Sequence, residues 1–212
     1  IGVVMEPRAM NPAIYDWLVI NHYNFSRVLT YDKELLTIGK PFERYFHGMC
    51  WIKPEDQKIY DKTKLISIVS SNKTATVGHR LRHSAINAFK DKLDIFGRGY
   101  NPIDYKLIAL KDYAFTLTIE NSKIDYYFTE KLLDCLTTGV VPIYFGVPSI
   151  GEFFNIDGII TFDNLEDLQS VINSLSLDKY KSMLPAIKEN FDLSKKYLLA
   201  EDWIYENTNI FK

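Results

Sequence analysis

The sequence predicts an α/β protein in which a parallel-sheet lobe follows a smaller α/β lobe, and three observations carry that expectation. Strand-sized apolar runs alternate with segments of helical period along the whole chain. The turns after four of the strands are polar or glycine-rich, as at the ligand edge of a parallel sheet. Residues 114–148, AFTLTIENSKIDYYFTEKLLDCLTTGVVPIYFGVP, read as one complete strand–turn–helix–strand unit.

Bulk properties narrow the function class. At 212 residues the chain can bury one larger core or two small ones. Its 47% hydrophobic and 25% charged residues are ordinary for a globular protein. The net charge of −2 offers no basic field, so nucleic acid is not an expected partner. The 14 Tyr and 13 Phe suit a protein that packs sugars or bases as well as its own core. With only Cys50 and Cys135, no disulfide framework is expected, and a reducing, cytoplasmic setting fits. No run approaches the roughly twenty apolar residues that span a bilayer, which leaves peripheral membrane association open. The chain begins at Ile1 with no signal-peptide pattern and is read as a processed, trimmed or incomplete piece. Asn24-Phe-Ser and Asn72-Lys-Thr match the glycosylation sequon, with no secretory signal to give them meaning.

Taken in order, residues 1–55 form the small first lobe. IGVVM is a strand, followed by Glu6-Pro7-Arg8. Pro12 suits the first turn of a helix that runs through Tyr15, Trp17, Leu18 and Ile20. SRVLT at 26–30 is a second strand, a short helix carries Leu35 and Leu36, and HGMCWI at 47–52 is the expected third strand. The polar stretch 53–64 reads as a linker.

Residues 64–212 form the second lobe. LISIV fits a buried parallel strand, and the loop after it, Ser70-Ser71-Asn72-Lys73, suits phosphate or sugar. The next helix starts near Gly78 and carries His79, Arg80, Arg82 and His83. Histidines at i and i+4 can hold a metal, but no nearby Cys or carboxylate completes a set, so no metal site is expected. The plain alternative for this group is a solvated basic face. LDIFGRG at 93–99 is a strand entering a glycine turn; Pro102 stands where a dinucleotide fingerprint needs its third Gly. Gly97 and Arg98 therefore mark a loop where main chain approaches a base or ribose. A helix through Tyr105, Leu107, Ile108 and Leu110 leads to the central strand.

In that central unit Phe115, Leu117 and Ile119 alternate with Thr116 and Thr118, and Glu120-Asn121-Ser122 makes the turn. Thr129 is the N-cap of a helix whose apolar face is Leu132, Leu133 and Leu136, and Gly139 stops it. Glu130 and Lys131 then lie at a helix start facing the strand ends, where a diphosphate is favoured. An ordinary solvated first turn is the competing reading. A strand at 159–162, an amphipathic helix on Leu165, Leu168, Val171, Ile172 and Leu175, an interruption at Pro185 and a last helical piece from Ala200 complete the chain.

The run IENSKIDYYFTEKLLDCLTTGVVPIYFG resembles the signature of the α1,3-fucosyltransferases, inverting enzymes that use GDP-fucose. Glu120, Asn121, Ser122, Tyr127, Thr129, Glu130, Lys131, Pro142 and Gly146 all stand in register with it. The likeness is tight over about thirty residues and looser over 64–162. It implies a GT-B-like fold whose second lobe binds the nucleotide sugar, with a glycan as acceptor and no metal or other cofactor. By the same resemblance, Glu130 contacts ribose or sugar hydroxyls, Lys131 a phosphate, and Asn121 and Tyr127 the donor. Arg82 is the best match for the arginine that holds the donor diphosphate, with Arg80 as its rival. Asn72, Lys73, Gly97, Arg98, Glu120 and Thr129 complete the expected donor-binding set. Catalysis would rest on Arg82, Glu130, Lys131 and a general base. Glu6 is the counterpart for that base, although a carboxylate capping Arg8 or the next helix fits the sequence equally well. The chain has no Asp-x-Asp pair to hold a metal, so fixed cations would have to stabilise the leaving diphosphate. Two alternatives stay open: a GT-B enzyme that uses another nucleotide sugar, and a non-catalytic nucleotide-sugar-binding module.

Overall fold

The structure is a computed structural model, and it describes residues 1–46 and 48–210. Two parallel sheets form, one in each half of the chain. In the first, β1 (Gly2–Val3), β2 (Val28–Thr30) and β3 (Phe42–Arg44) lie side by side in that order. Helices α1 (Pro12–Asn21) and α2 (Lys33–Thr37) make the crossovers, as parallel neighbours require. Pro12 occupies the first turn of α1, and Asp32 caps α2 through the Leu35 amide at 2.9 Å. Val4, Tyr15, Leu18, Val28, Leu35 and Phe42 pack into one small core.

The third strand differs from the expected one. Its expected first residue, His47, lies outside the described residues, and residues 48–52 form no strand. Their amides have other partners: Cys50 donates to the Leu198 carbonyl at 3.0 Å and Trp51 to the Asp134 carboxylate at 2.7 Å. With its donors used that way, the segment cannot join a ladder.

The second sheet has five parallel strands. They are β4 (Lys64–Val69), β5 (Asp94–Phe96), β6 (Tyr113–Ile119), β7 (Val141–Phe145) and β8 (Ile160–Thr161). The order across the sheet is β5-β4-β6-β7-β8. Helix α3 (Val77–Phe89) links β4 to β5, and α4 (Glu130–Leu136) links β6 to β7. Every residue of β6 is buried, as a central strand covered on both faces must be. Its Phe115, Leu117 and Ile119 share a core with Ala85, Ile86 and Phe89 of α3. Its threonines face the other way: Thr118 meets Cys135 of α4 at 3.3 Å, and Thr116 meets Ser67, whose hydroxyl donates to the Ala109 carbonyl. The chain thus leaves β4 and β6, which are neighbours, toward opposite faces. That makes a topological switch point, where a crevice opens beyond the strand ends.

Two local expectations are corrected. The helix foreseen around Tyr105–Leu110 is a single 3-10 turn, Lys106–Ala109, because the chain must enter β6 at once. The chain past Ser174 divides into α6 (Leu177–Ser182) and α7 (Leu184–Ser194), with Pro185 in the first turn of α7. The amphipathic helix before them is α5 (Leu165–Asn173). The last helix, α8 (Ala200–Asn207), packs back on the first lobe: Ala200, Trp203 and Ile204 cluster with Leu29 and Tyr45. The polar stretch after Lys53 is pinned to the second lobe, with Asp56 accepting from Tyr105 at 2.9 Å and Lys62 donating to three carbonyls.

Candidate active site

Beyond the ends of β4 and β6 lies a cavity of about 530 Å³. Its walls come from the loops after β4, β5 and β6, from the starts of α3 and α4, and from the segment after β1. Its construction begins with Glu120, which follows β6 and is fully buried. One carboxylate oxygen accepts the Thr129 amide at 2.9 Å and the other the Thr129 hydroxyl at 2.8 Å. A buried carboxylate so engaged closes the loop 121–128 and fixes the start of α4. Thr129 in turn accepts from the Lys131 amide at 3.3 Å and from its ammonium at 3.1 Å. The same ammonium lies 3.0 Å from Glu130 and 3.5 Å from Glu120. Burial pushes the Glu130 carboxyl up, but Lys131 and Lys106 outweigh that and hold it below its usual range.

Arg82 projects from α3 to the end of β6. Its Nε donates to the Ile119 carbonyl at 3.0 Å, and Nη2 donates to the same carbonyl and to Asn121 Oδ1, the latter at 3.0 Å. The close docking of α3 on this loop depends on Gly78, since a Cβ there would stand 1.8 Å from the Glu120 carbonyl oxygen. Gly97, after β5, has φ +108, and a Cβ there would stand 2.1 Å from the Ser70 carbonyl oxygen, so main chain lines that wall.

From the first lobe comes Glu6. The Tyr15 hydroxyl donates to its carbonyl at 2.8 Å and the Tyr31 hydroxyl to that of Met5 at 3.3 Å, so two buried tyrosines fix the main chain there. Tyr31 also packs on Tyr127, ring centroids 5.0 Å apart, which ties Glu6 to the loop before α4. Neither structural alternative for Glu6 is realised. Arg8 pairs with Asp32, Glu34 and Asp16, and the N-cap position of α1 is Asn11. Among the described residues the Glu6 carboxylate has no hydrogen bond or ion pair, and it lines the cavity.

Of the residues expected from sequence, Glu6, Lys73, Arg82, Gly97, Arg98, Asn121, Tyr127, Thr129, Glu130 and Lys131 line the cavity together. Asn72 and Glu120 do not: Asn72 is exposed and Glu120 is turned inward onto Thr129. Arg80 reaches back to the Thr74 and Ala75 carbonyls and is not in the wall. The Gly146-Val147-Pro148 turn is also absent from it. The connections on either side of β7 both pack on the α4 face, and the hollow beyond its end, lined by Pro148, Ile150, Glu152 and Thr161, shares no residue with this cavity.

The walls also contain residues that sequence reasoning passed over, chiefly Trp51, Asp104 and Lys106, and one, His79, that it weighed only as a metal ligand or part of a solvated basic face. Lys106 pairs with the buried Asp134 at 2.6 Å and lies 5.4 Å from the Trp51 ring centroid. The sequence signal for the part His79 plays instead is Thr76 three residues before it, the spacing of a capping box. His79 and His83 are each engaged locally: His83 meets Tyr100 at 2.7 Å and the Lys73 carbonyl at 2.9 Å. Among the described residues no group of three His, Cys, Asp or Glu is placed to hold a metal.

Residues 59–199 match the family model for the C-terminal part of glycosyltransferase family 10 (fucosyltransferase). An alpha-(1,3)-fucosyltransferase of Helicobacter pylori is 29% identical over 162 residues, covering 70% of this chain and 31% of that protein. An alpha-(1,4)-fucosyltransferase of Arabidopsis thaliana is 35% identical over 78 residues, covering 35% of this chain and 20% of that one. A GDP-fucose protein O-fucosyltransferase 3 of Bos taurus is 41% identical over 73 residues, or 32% of this chain and 15% of that one. The chain therefore spans under a third of the length of these curated relatives. In fold, it resembles a crystal structure of an alpha1,3-fucosyltransferase with GDP, at TM-score 0.56 and 18% identity, covering 82% and 69% of the two chains. It also resembles TarM, at TM-score 0.60 and 12% identity over 91% and 44%.

Proposed function

Since the chain belongs to glycosyltransferase family 10, we propose that it carries the donor site of an inverting transferase that moves fucose from GDP-fucose to a glycan hydroxyl. One observation carries the reading: at the β4/β6 switch point, Arg82 and Lys131 share a cavity with Glu6 from the other lobe, whose carboxylate is unpaired among the described residues. Transfer with inversion needs a base on one side of the sugar and charge stabilisation on the other, and these groups are of the two required kinds.

In the proposed reaction Glu6 accepts the proton of the acceptor hydroxyl as that oxygen attacks the anomeric carbon. The bond from that carbon to the phosphate oxygen breaks, and GDP leaves with the electron pair. Lys131 and Arg82 offset the charge that develops on the diphosphate. Their geometry is set in advance by Thr129, Glu120 and Asn121, so little reorganisation accompanies the step. Glu130, held ionised beside Lys131, is suited to accept hydroxyl donors of ribose or sugar. No step requires a metal, because the cations are side chains.

Calorimetric titration with GDP, UDP, ADP and GDP-fucose, each with and without chelator, tests this. A guanine preference that survives chelation is the expected result. A UDP preference would move the site to another donor, and binding of none would remove the donor assignment.

A further inference from the structure

A second donor group for the diphosphate is built into the start of α3. Thr76 and His79 form a reciprocal cap: the Thr76 hydroxyl accepts the His79 amide at 3.2 Å, and the His79 ring accepts the Thr76 amide at Nδ1, also 3.2 Å. A backbone amide can only donate, so Nδ1 is the acceptor and the ring proton of the neutral imidazole sits on Nε2. The Thr76 hydroxyl stands 2.9 Å from the same Nδ1 and donates to it in this tautomer, whereas a proton on Nδ1 would leave the Thr76 amide without an acceptor among the described residues.

That Nε2–H has no acceptor among the described residues. Nor is it sealed off, because the one buried side-chain N or O atom without a partner among them is Ser149 Oγ. His79 is only 4% exposed, and it forms part of the cavity wall with Lys73, Arg82, Asn121 and Lys131. Its free edge is therefore reached from the cavity. We infer that His79 is a binding residue for the nucleoside diphosphate, donating a neutral N–H through Nε2 to a phosphate oxygen beside Arg82. The inference rests on the donor reading above and adds to it a residue in neither the base nor the cation set. Burial, and then the charges of Arg82, Lys73, Lys131 and His83, hold the ring's pKa down to about 4, so the donor persists unchanged near neutrality. A neutral donor adds a directed bond without adding to the repulsion between Arg82 and Lys131.

The test compares GDP and guanosine binding in the wild type, His79→Glu, His79→Gln and Thr76→Ala. Glutamate keeps the cap, since it is a favoured third residue of a capping box, but it presents an acceptor where the ring presented a donor. His79→Glu is expected to bind GDP at least about tenfold more weakly, the scale of losing one hydrogen bond to a charged group, with guanosine affinity unchanged. His79→Gln keeps an N–H at similar reach and is expected to stay within about threefold of the wild type. Thr76→Ala lowers the melting temperature but keeps the Thr76 amide, and is expected to keep GDP affinity. GDP binding by His79→Glu at wild-type strength would overturn the His79 contact while leaving the donor site standing. A wild type that binds no GDP would overturn both.

Discussion

Replacing Glu120 by Gln isolates how the loop after β6 is held. The carboxylate is fully buried and accepts two hydrogen bonds from Thr129, at 2.9 and 2.8 Å, with the Lys131 ammonium 3.5 Å away. Glutamine keeps one acceptor oxygen and the side-chain volume. Its amide group meets the Thr129 hydroxyl, which already accepts from Lys131, so the hydroxyl proton loses its acceptor. One charge-assisted hydrogen bond is lost, worth about 2 kcal/mol. For a domain of this size that corresponds to a fall in melting temperature of roughly 4–8 °C. Because Glu120 lies outside the cavity wall, the loss should register as stability first. The assay is a reversible thermal melt followed by far-UV circular dichroism, wild type against variant. Burial pushes the Glu120 carboxyl upward, which gives the experiment a second edge. A shift under about 1 °C would mean that the side chain is already neutral and that the cap does not rest on its charge, refuting the account of how Lys131 is placed.

Other perturbations follow from the same geometry. Lys131→Ala should lower turnover of GDP-fucose by on the order of 10²-fold, and normal turnover in a folded variant would remove the ammonium from the reaction. Glu6→Gln should lower turnover by about 10²-fold or more while leaving GDP affinity unchanged, as expected of a base that meets only the acceptor hydroxyl; equal loss of both would place it in donor binding instead. Gly78→Ala would put a Cβ 1.8 Å from the Glu120 carbonyl oxygen, and the forced separation of α3 from the loop should cost about 2–3 kcal/mol in a urea titration. Acidification gives a further readout. His79 titrates near 6.5 when unfolded and about 4 when folded, so between those values the unfolded chain binds a proton that the native ring refuses. Stability is therefore full above 6.5 and falls as pH drops toward 4, by on the order of 1–3 kcal/mol once water in the cavity is allowed for. Wild type and His79→Gln melted across that window should differ in slope; parallel curves would mean the ring is not held neutral.

Much of the second lobe is legible because its signals are local. The alternation of Phe115, Leu117 and Ile119 with threonines, and the cap at Thr129, each need only neighbours in sequence, and β6 and α4 fall where they indicate. Signals split between two uses are harder to read. The backbone of Cys50 and Trp51 looks like strand, yet it is drawn off by Leu198 and Asp134, partners nearly 150 and just over 80 residues along the chain. Lys106 carries no motif at all; its place in the wall depends on Asp134 of α4.

Strand order is the larger obstacle, and it explains which polar turns became the site. Four strand ends looked equally eligible in sequence, and three of them meet in the cavity: Ser70 and Lys73 after β4, Gly97 and Arg98 after β5, Asn121 after β6. The fourth, Gly146-Val147-Pro148 after β7, does not. What separates them is the face to which each strand's connection departs. The chain leaves β4 into α3 on one face and β6 into α4 on the other, so the strand ends part and leave space. At β7 both connections stay on the α4 side, where Val147, Ile150 and Phe154 pack against it, and the hollow after β7 shares no residue with the cavity. A crossover's face is decided by packing between helices far apart in sequence, not by the turn residues themselves. The polar strand ends that line the cavity gather around the point where the fold reverses, which is why Arg82 of α3 and Lys131 of α4, on opposite sides of that reversal, converge on it.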